Sequence, residues 1–466
     1  MKETKRRTTR DNKKPREQWS GRLGFVLATA GSAVGLGNIM KFPWMTGQNG
    51  GAAFLFVYIV VMLIIGIGML LCDFLIGRNG KANAVESYRK LVGNKFTWMG
   101  YLGIFSAMLA LSYYAVFGGW MLHYIINSFT TLAHIDPAEV GGFFGGFVSQ
   151  VWGPIIGTLV FLVMTVVIVC GGVKNGIEKA SKIMMPALIV ILIILIFRAV
   201  TLPGAAEGIT YYLKPDLSKI TLPVIAAAVG QCFFSLNVGT TGMVNYGSYL
   251  REDEDVMKST IQVAFTDFAI AFFAGLIIIP SAFAFSIDVG SGPSLLFVTM
   301  PSLFAQLPAG GFFCFLFFVL LLFASLTSSV SILEIFVPYV TETFPKVSRT
   351  KASILGGVIC LLLGIPVSLS FGMWGDVRIL GQDIFSLYDN FICIFAYPLI
   401  ALCTAVIVGW IWGKENAIDA VSNHGALGHK RIYDVWFFLV RFVCPVLLLV
   451  VVITGLVPFL QGLFGG

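Results

Sequence analysis

The chain has 466 residues, of which 57% are hydrophobic and 12% are charged, and its formal net charge at pH 7 is +7. A soluble globular domain carries roughly twice that share of charged residues, so the composition excludes a soluble protein. It predicts an all-α polytopic membrane protein in which the connecting loops are too short to form a separate functional domain.

The first 21 residues form a basic segment that includes Lys2, Arg6, Arg10 and Lys14. This segment has no apolar core, so it is neither a signal peptide nor a membrane span. Because a membrane span follows it directly, we interpret residues 1–21 as a cytoplasmic segment at the lipid surface and not as a nucleic-acid-binding arm.

The rest of the chain is a succession of apolar segments that are long enough to cross a bilayer. The eleven predicted spans lie near residues 22–44, 52–77, 98–129, 152–171, 183–202, 222–250, 260–286, 311–340, 352–371, 383–412 and 433–462. Four connections, at 78–95, 174–182, 346–351 and 414–431, are rich in Lys and Arg, whereas those around 130–150 and 288–309 contain neither. The positive-inside rule therefore predicts a cytoplasmic N-terminus and, with an odd number of spans, an external C-terminus.

Span one is interrupted by residues that weaken a helix. Thr29–Trp44 reads TAGSAVGLGNIMKFPW, so that Gly31, Gly35 and Gly37 alternate with polar groups such as Asn38. Glycine destabilises a helix interior by about 1 kcal/mol relative to alanine, and an unpaired backbone group in hydrocarbon costs several kcal/mol more. The pattern predicts a helix that breaks around a polar ligand held in the middle of the membrane.

Span six is interrupted in the same way, since Phe233–Tyr249 reads FFSLNVGTTGMVNYGSY. Spans one and six occupy the same position in two five-span halves, residues 22–202 and 222–412, with 433–462 as an additional eleventh helix. Glycine-interrupted spans at corresponding positions predict an inverted-repeat transporter that binds its cargo between the two broken helices. Close helix packing is the alternative explanation for small residues. It accounts for isolated glycines such as Gly145, but not for clusters that mix glycine with amides and hydroxyls.

The motifs AGSAVGLGN and KFP in span one, FFSLNVG in span six and LTSS in span eight resemble the neurotransmitter:sodium symporter family, in its bacterial amino-acid transporter branch. The resemblance runs from Trp19 to the last span. It implies a sodium-coupled symporter in a prokaryotic cell membrane, not an enzyme, with two Na⁺ ions and no organic cofactor. A proton-coupled transporter of the related amino-acid/polyamine type also has broken spans one and six and is the alternative. Whether the chain forms a homo-oligomer stays open.

The resemblance implies two sodium sites built from oxygen ligands, which a hard cation prefers. Sodium site 1 would take oxygens of Ala33, Asn38, Ser235 and Asp267, together with the carboxylate of the substrate. Sodium site 2 would take the carbonyls of Gly31, Val34 and Ala324 and the hydroxyls of Thr327 and Ser328. As an alternative, the hydroxyls in span eight would bond to the preceding turn of their own helix.

Asp267 lies near the centre of the apolar stretch AFTDFAIAFFAG in span seven. A carboxylate at this depth costs several kcal/mol unless it meets a cation. In chloride-dependent members of the family this region has an asparagine, with an anion-binding serine one turn later, where this chain has Ala271. We therefore expect Asp267 to bind sodium and to replace the charge of chloride, which makes transport chloride-independent. The alignment is ambiguous by one residue, so Thr266 is a competing ligand.

The family also suggests the class of substrate. Members that carry monoamines have an aspartate where this chain has Gly35, so here the negative group near sodium would be the carboxylate of an amino-acid substrate. The amides of Leu36 and Gly37 and the hydroxyl of Tyr114 would bind this carboxylate. Carbonyls near Ala33, Phe234 and Ser235 would hold the ammonium group. The side-chain pocket would be completed by Ala110, Phe117, Asn237, Thr240, Ser328 and Ile332. Small Ala110 and polar Thr240 favour a large or aromatic neutral amino acid.

The resemblance implies gates on both sides of this site. Lys41 and Asp389 would form a charged pair on the outer side, and Tyr114 and Phe234 would form a lid over the substrate. The inner latch would consist of Arg16, Trp19, Tyr249 and Glu342. For each charged or aromatic gate residue the alternative is an ordinary residue of the membrane interface.

Overall fold

The computed structural model describes residues 16–285 and 295–464, so that most of the basic N-terminal segment lies outside the described residues. Nine helices in the described ranges are long and apolar enough to cross a membrane. They are Ala52–Gly80, Asn94–Asn127, Trp152–Cys170, Val173–Val200, Val256–Ala284, Gly310–Thr343, Arg349–Ser370, Ile384–Trp412 and Lys430–Gly455. Shorter connecting helices are Ala84–Val92, Val140–Val148, Ala205–Leu213, Met300–Ala305 and Lys414–Val421.

Span one is a bent pair of helices, Arg22–Ala33 and Gly37–Gln48, whose axes differ in direction by 56°. The first half ends because Val34 leaves the helix with φ −70° and ψ 105°. The chain re-enters a helix at Gly37 through a π-helical turn that ends at Lys41. The break therefore lies within the glycine-rich stretch that the sequence indicates.

Span six consists of the helices Leu222–Ser235 and Gly242–Gly247, separated by an irregular segment. Within this segment Asn237, Gly239 and Thr241 have φ of 54°, 80° and 64°. A positive φ is uncommon for residues other than glycine and stores strain, which the surrounding structure must compensate. Both predicted breaks are thus present, in the two spans for which the sequence predicts them.

Hydrogen bonds join the two broken spans directly. The Asn237 amide donates to the carbonyl of Ser32 at 2.7 Å, and the Gln231 amide donates to the carbonyl of Gly37 at 2.9 Å. The helices around them are the most enclosed. In the apolar 18-residue stretch of each helix, 83% of Asn94–Asn127 and 72% of Gly310–Thr343 are buried inside the protein, against 22% of Lys430–Gly455. The breaks therefore lie at the centre of the bundle, and the last helix lies at its edge.

Candidate functional site

The site begins with the carbonyl groups at the end of helix Arg22–Ala33. The last four carbonyls of a helix lack partners in the following turn. Here the carbonyl of Ala30 accepts from the amide of Val34 at 2.7 Å, and the carbonyl of Ser32 accepts from the side chains of Asn237 and Ser328. The predicted sodium ligands Gly31 and Ala33 are neighbours of these two residues in the last turn of the same helix.

Asp267 is fully buried and contacts both other side chains of the predicted sodium site 1. One carboxylate oxygen accepts from the Asn38 amide at 2.7 Å, and the other accepts from the Ser235 hydroxyl at 2.7 Å. We call Asn38, Ser235 and Asp267 the Asp267 trio; it links span seven to both broken spans. Thr266, the competing ligand, instead donates its hydroxyl to the carbonyl of Gln262 at 2.8 Å within its own helix.

The predicted sodium site 2 is formed where span eight meets the first break. Ser328 donates to the carbonyls of Ser32 and Val34, both at 3.1 Å. Thr327 donates to the carbonyl of Ala324 at 3.0 Å, which is the within-helix bond given as the alternative above. A hydroxyl that donates one hydrogen bond keeps its lone pairs for a cation, so this bond is compatible with a ligand role. The structure brings Val34, Ala324, Thr327 and Ser328 together.

The glycines of the break have no room for side chains. A Cβ built on Gly35 would lie 2.6 Å from the Ser328 hydroxyl oxygen and 3.4 Å from the Tyr114 hydroxyl oxygen. A Cβ built on Gly37 would lie 2.8 Å from the Phe234 ring. The backbone between these glycines is therefore directly beside the predicted lid residues Tyr114 and Phe234, and an aspartate at position 35 would not fit.

Tyr114 shares a helix face with two other predicted pocket residues, Ala110 and Phe117, since the three are spaced by about one turn each. All three are nearly fully buried, whereas Ile332 is partly buried. The Phe117 ring also lies 5.3 Å from the Phe385 ring, within an aromatic cluster. Span three thus contributes one continuous wall beside the breaks.

Two residues predicted for the pocket, Asn237 and Thr240, also make hydrogen bonds that hold the second break together. Asn237 donates to Ser32, as described above, and Thr240 donates its hydroxyl to the carbonyl of Asn237 at 2.9 Å while accepting from the amide of Gly242. These bonds compensate for the left-handed backbone of the segment. The polar character of Thr240 is therefore explained by the break itself, without a polar substrate.

The four residues predicted for the inner latch lie in contact with one another. Arg16 pairs with Glu342 and lies 4.6 Å from the centre of the Tyr249 ring. The backbone amide of Trp19 donates to the carbonyl of Tyr249 at 3.3 Å, and its indole N–H donates to the carbonyl of Tyr246 at 3.2 Å. The first residues of the described chain therefore cover the end of span six at Tyr249 and the end of span eight at Glu342.

The comparisons with known proteins agree with this arrangement. A model of the sodium:neurotransmitter symporter family matches residues 16–136 and 149–464. The sodium-dependent transporter YhdH of Bacillus subtilis is 35% identical over 436 residues, which cover 93% of this chain and 96% of that protein. A sodium-dependent transporter of Haemophilus influenzae is 36% identical over 458 residues, which cover 96% of this chain and 99% of that protein. The chain belongs to the sodium:neurotransmitter symporter family.

A solved structure of a related protein supports the same conclusion. The structure of MhsT in complex with L-phenylalanine is similar to this chain with a TM-score of 0.86 and 41% sequence identity, and the match covers 94% of this chain and 100% of MhsT. The family resemblance and the predicted fold class are confirmed. The chain is a multi-pass membrane transporter, since members of this family are transporters and not enzymes. The sodium-dependent relatives favour the sodium-coupled prediction over the proton-coupled alternative.

The charged pair expected for the outer gate of this symporter, Lys41 and Asp389, is not formed. The Lys41 ammonium instead lies 4.0 Å from the centre of the Phe234 ring, and Asp389 accepts from the Tyr113 hydroxyl at 3.2 Å. A cavity of about 230 Å³ opens beside Lys41 and Phe234. It is lined mainly by apolar residues of spans six, ten and eleven, among them Gly230, Val238, Ile394, Pro398, Ala401 and Val451.

Sequence reasoning missed Arg349 and did not assign Glu334 and Ser248 to the latch. Glu334 is fully buried and accepts from Arg349 at 2.5 Å and from the Tyr249 hydroxyl at 2.7 Å. The hydroxyl of Ser248 accepts from Arg16 at 2.7 Å. A buried glutamate in an apolar span requires a cation, which is a signal that could have identified Arg349. Gln231 was also missed, although it lies one turn before Ser235 on the same helix face.

Proposed function

We propose that this symporter carries a large or aromatic neutral amino acid together with two sodium ions and needs no chloride. It would work by alternating access around the midplane breaks, with residues 22–202 and 222–412 as inverted repeats and 433–462 as an additional helix. The N-terminus would be cytoplasmic. The observation that carries the proposal is the buried contact of Asp267 with Asn38 and Ser235.

The Asp267 trio supports sodium binding because an intramembrane carboxylate needs a compensating cation. Its two partners inside the protein, an amide and a hydroxyl, are neutral. A sodium ion beside Asp267 would neutralise its charge, and the same fixed charge makes a chloride ion unnecessary. The carbonyl of Val34 and the hydroxyl of Ser328, which are 3.1 Å apart, support a second ion at the end of the same half-helix.

The space around Gly35 supports an amino acid as the substrate. Because position 35 cannot hold an acidic side chain, the anionic group near sodium would come from the substrate itself. Its carboxylate would meet the amides of Leu36 and Gly37 at the start of a helix, where the dipole favours an anion. The Tyr114 hydroxyl, which lies beside Gly35, would donate a further hydrogen bond. The complex of MhsT with L-phenylalanine supports an aromatic side chain.

The gate contacts support a state in which the inner side is latched and the outer pair is apart. Arg16 and Glu342 are paired, whereas Lys41 and Asp389 have other partners. We interpret the cavity beside Lys41 as part of the outer entrance. Closure would then require Lys41 to leave the Phe234 ring and to meet Asp389.

The test is uptake of a panel of labelled amino acids by the purified protein in proteoliposomes. We expect phenylalanine, tyrosine, tryptophan or leucine to accumulate under an inward sodium gradient, and equally well when gluconate replaces chloride. Accumulation driven by a pH gradient without sodium would contradict sodium coupling. Failure of every neutral amino acid to accumulate, while another solute does, would contradict the proposed substrate class.

A further inference from the structure

Arg441 is a basic residue inside the last membrane-spanning helix, Lys430–Gly455, which is the least enclosed helix of the bundle. No carboxylate forms an ion pair with Arg441 among the residues that the structure describes. Its Nε is buried and makes no hydrogen bond within the same residues. An arginine in a span that has no protein anion is costly, so a negatively charged group beside Arg441 would stabilise it.

The surroundings of Arg441 hold its guanidinium in a defined place. Its Cζ lies 4.4 Å from the centre of the Trp410 ring and 5.4 Å from the centre of the Phe442 ring. The Trp410 indole N–H donates to the carbonyl of Arg441 at 3.1 Å, which fixes the indole in turn. Gly409 allows the close approach, because a Cβ built there would lie 2.9 Å from the Cα of Arg441.

Two π-helical turns meet at this point, Ile407–Trp412 and Leu439–Val443. The aromatic residues around the guanidinium are exposed on the surface of the bundle, since Trp410 is 54% and Phe442 is 46% exposed. A membrane protein presents this surface to lipid, so a lipid can reach Arg441 from the side.

The depth of Arg441 matches the inner headgroup region. The connection before this helix contains Asn423, whose side chain accepts from Arg78 at 2.7 Å. Five residues after Arg78, Asn83 donates to the latch residue Glu342 at 2.8 Å. The connection therefore lies on the same side of the bundle as the inner latch. Asp434, near the start of the helix, pairs with Lys414 at 2.7 Å. Arg441 lies seven residues later, which is about 10 Å along the helix axis at ~1.5 Å per residue. Helical side chains point toward the helix N-terminus, so the guanidinium extends back toward the headgroups.

We infer that Arg441 and Trp410 form a binding site for the phosphate of a net-anionic phospholipid in the leaflet next to the inner latch. The planar guanidinium can bind two phosphate oxygens at once, and the acyl chains would lie along the exposed aromatic residues. This site is separate from the substrate and sodium sites and does not depend on which amino acid is carried.

Native mass spectrometry of the purified protein, exchanged into a mixture of phosphatidylglycerol and phosphatidylcholine, tests the inference. We expect the wild-type protein to retain phosphatidylglycerol in preference to phosphatidylcholine. In Arg441→Gln the amount of bound phosphatidylglycerol should fall by about five-fold, because one basic residue beside an anionic leaflet contributes ~1 kcal/mol. Arg431→Gln is the matched control, since it removes the same charge from an exposed position near the start of the same helix and should retain the lipid.

Two further variants keep the test informative if Arg441→Gln does not fold. Arg441→Lys preserves the charge but loses the planar fork, and Trp410→Leu preserves the arginine but removes the aromatic face; we expect a partial loss of phosphatidylglycerol in both. Equal retention in all variants would refute the site. Loss of bound lipid on adding excess inorganic phosphate would point to a free anion instead, and a dimer that disappears in Arg441→Gln would mean that a second copy supplies the anion.

Discussion

The role of Asp267 can be tested by replacing it with serine. The substitution removes a fully buried carboxylate but leaves Asn38 and Ser235, each of which donates to it at 2.7 Å. We expect the sodium affinity to fall and a chloride requirement to appear. The two donors would then point into the space that the carboxylate occupied, and hydrogen-bond donors around such a space favour an anion.

The size of the effect follows from electrostatics. A carboxylate and a cation at about 4 Å interact by ~4 kcal/mol at an effective dielectric constant of about 20, which sets an upper limit of roughly a thousand-fold on the change in sodium affinity. The hydroxyl of serine and a bound chloride would restore part of this. We therefore expect the half-saturating sodium concentration of Asp267→Ser to rise at least ten-fold in gluconate and by less in chloride.

The assay is sodium-driven uptake in proteoliposomes, with chloride or gluconate as the only anion and with monodisperse elution as the check on folding. Thr266→Val is the control, because its hydroxyl bonds to Gln262 within the same helix, and its sodium dependence should match that of the wild type. The reasoning is refuted if Asp267→Ser takes up substrate equally in both anions at an unchanged sodium affinity. A selective loss of sodium affinity in Thr266→Val would move the ligand to that residue.

Three further predictions concern the breaks and the gates. Gly35→Ala should reduce uptake by about ten-fold or more, because its Cβ would overlap the adjacent hydroxyl and displace groups around the site. Gly145 has open space around its Cβ, so the close helix packing suggested for it by the sequence is not present, and Gly145→Ala should leave uptake unchanged. Equal uptake by both variants would contradict the close packing at the break. Tyr114→Phe should raise the KM for the amino acid by about ten-fold to a hundred-fold, the range expected for a lost hydrogen bond to a charged group, and a change in kcat alone would argue against a role in substrate binding. Glu342→Gln should weaken the contact with Arg16 and increase labelling of cysteines introduced on the inner side of the site; unchanged labelling would show that the latch does not depend on this charge.

Much of the site is visible in the sequence, because a broken membrane helix has a local signature. The clusters around Gly35 and Gly239 interrupt apolar runs, and hydropathy alone shows that these runs would otherwise be continuous spans. The polar residue types next to the breaks indicate a polar ligand, and the family resemblance implies that sodium is part of it. The carboxylate of Asp267 stands out because it interrupts an apolar span. These features depend on the cost of placing polar groups in hydrocarbon, which is a property of each segment by itself.

The direction of each side chain was decided only by the tertiary structure. Adjacent helical residues such as Thr266 and Asp267 point about 100° apart, so the rotation of span seven against the two breaks selects Asp267 as the partner of Asn38. The same holds for Asn237, which donates a hydrogen bond to the first break, and for Lys41, which lies over Phe234. These contacts join segments that are distant in the chain, and their geometry depends on how whole helices pack against one another.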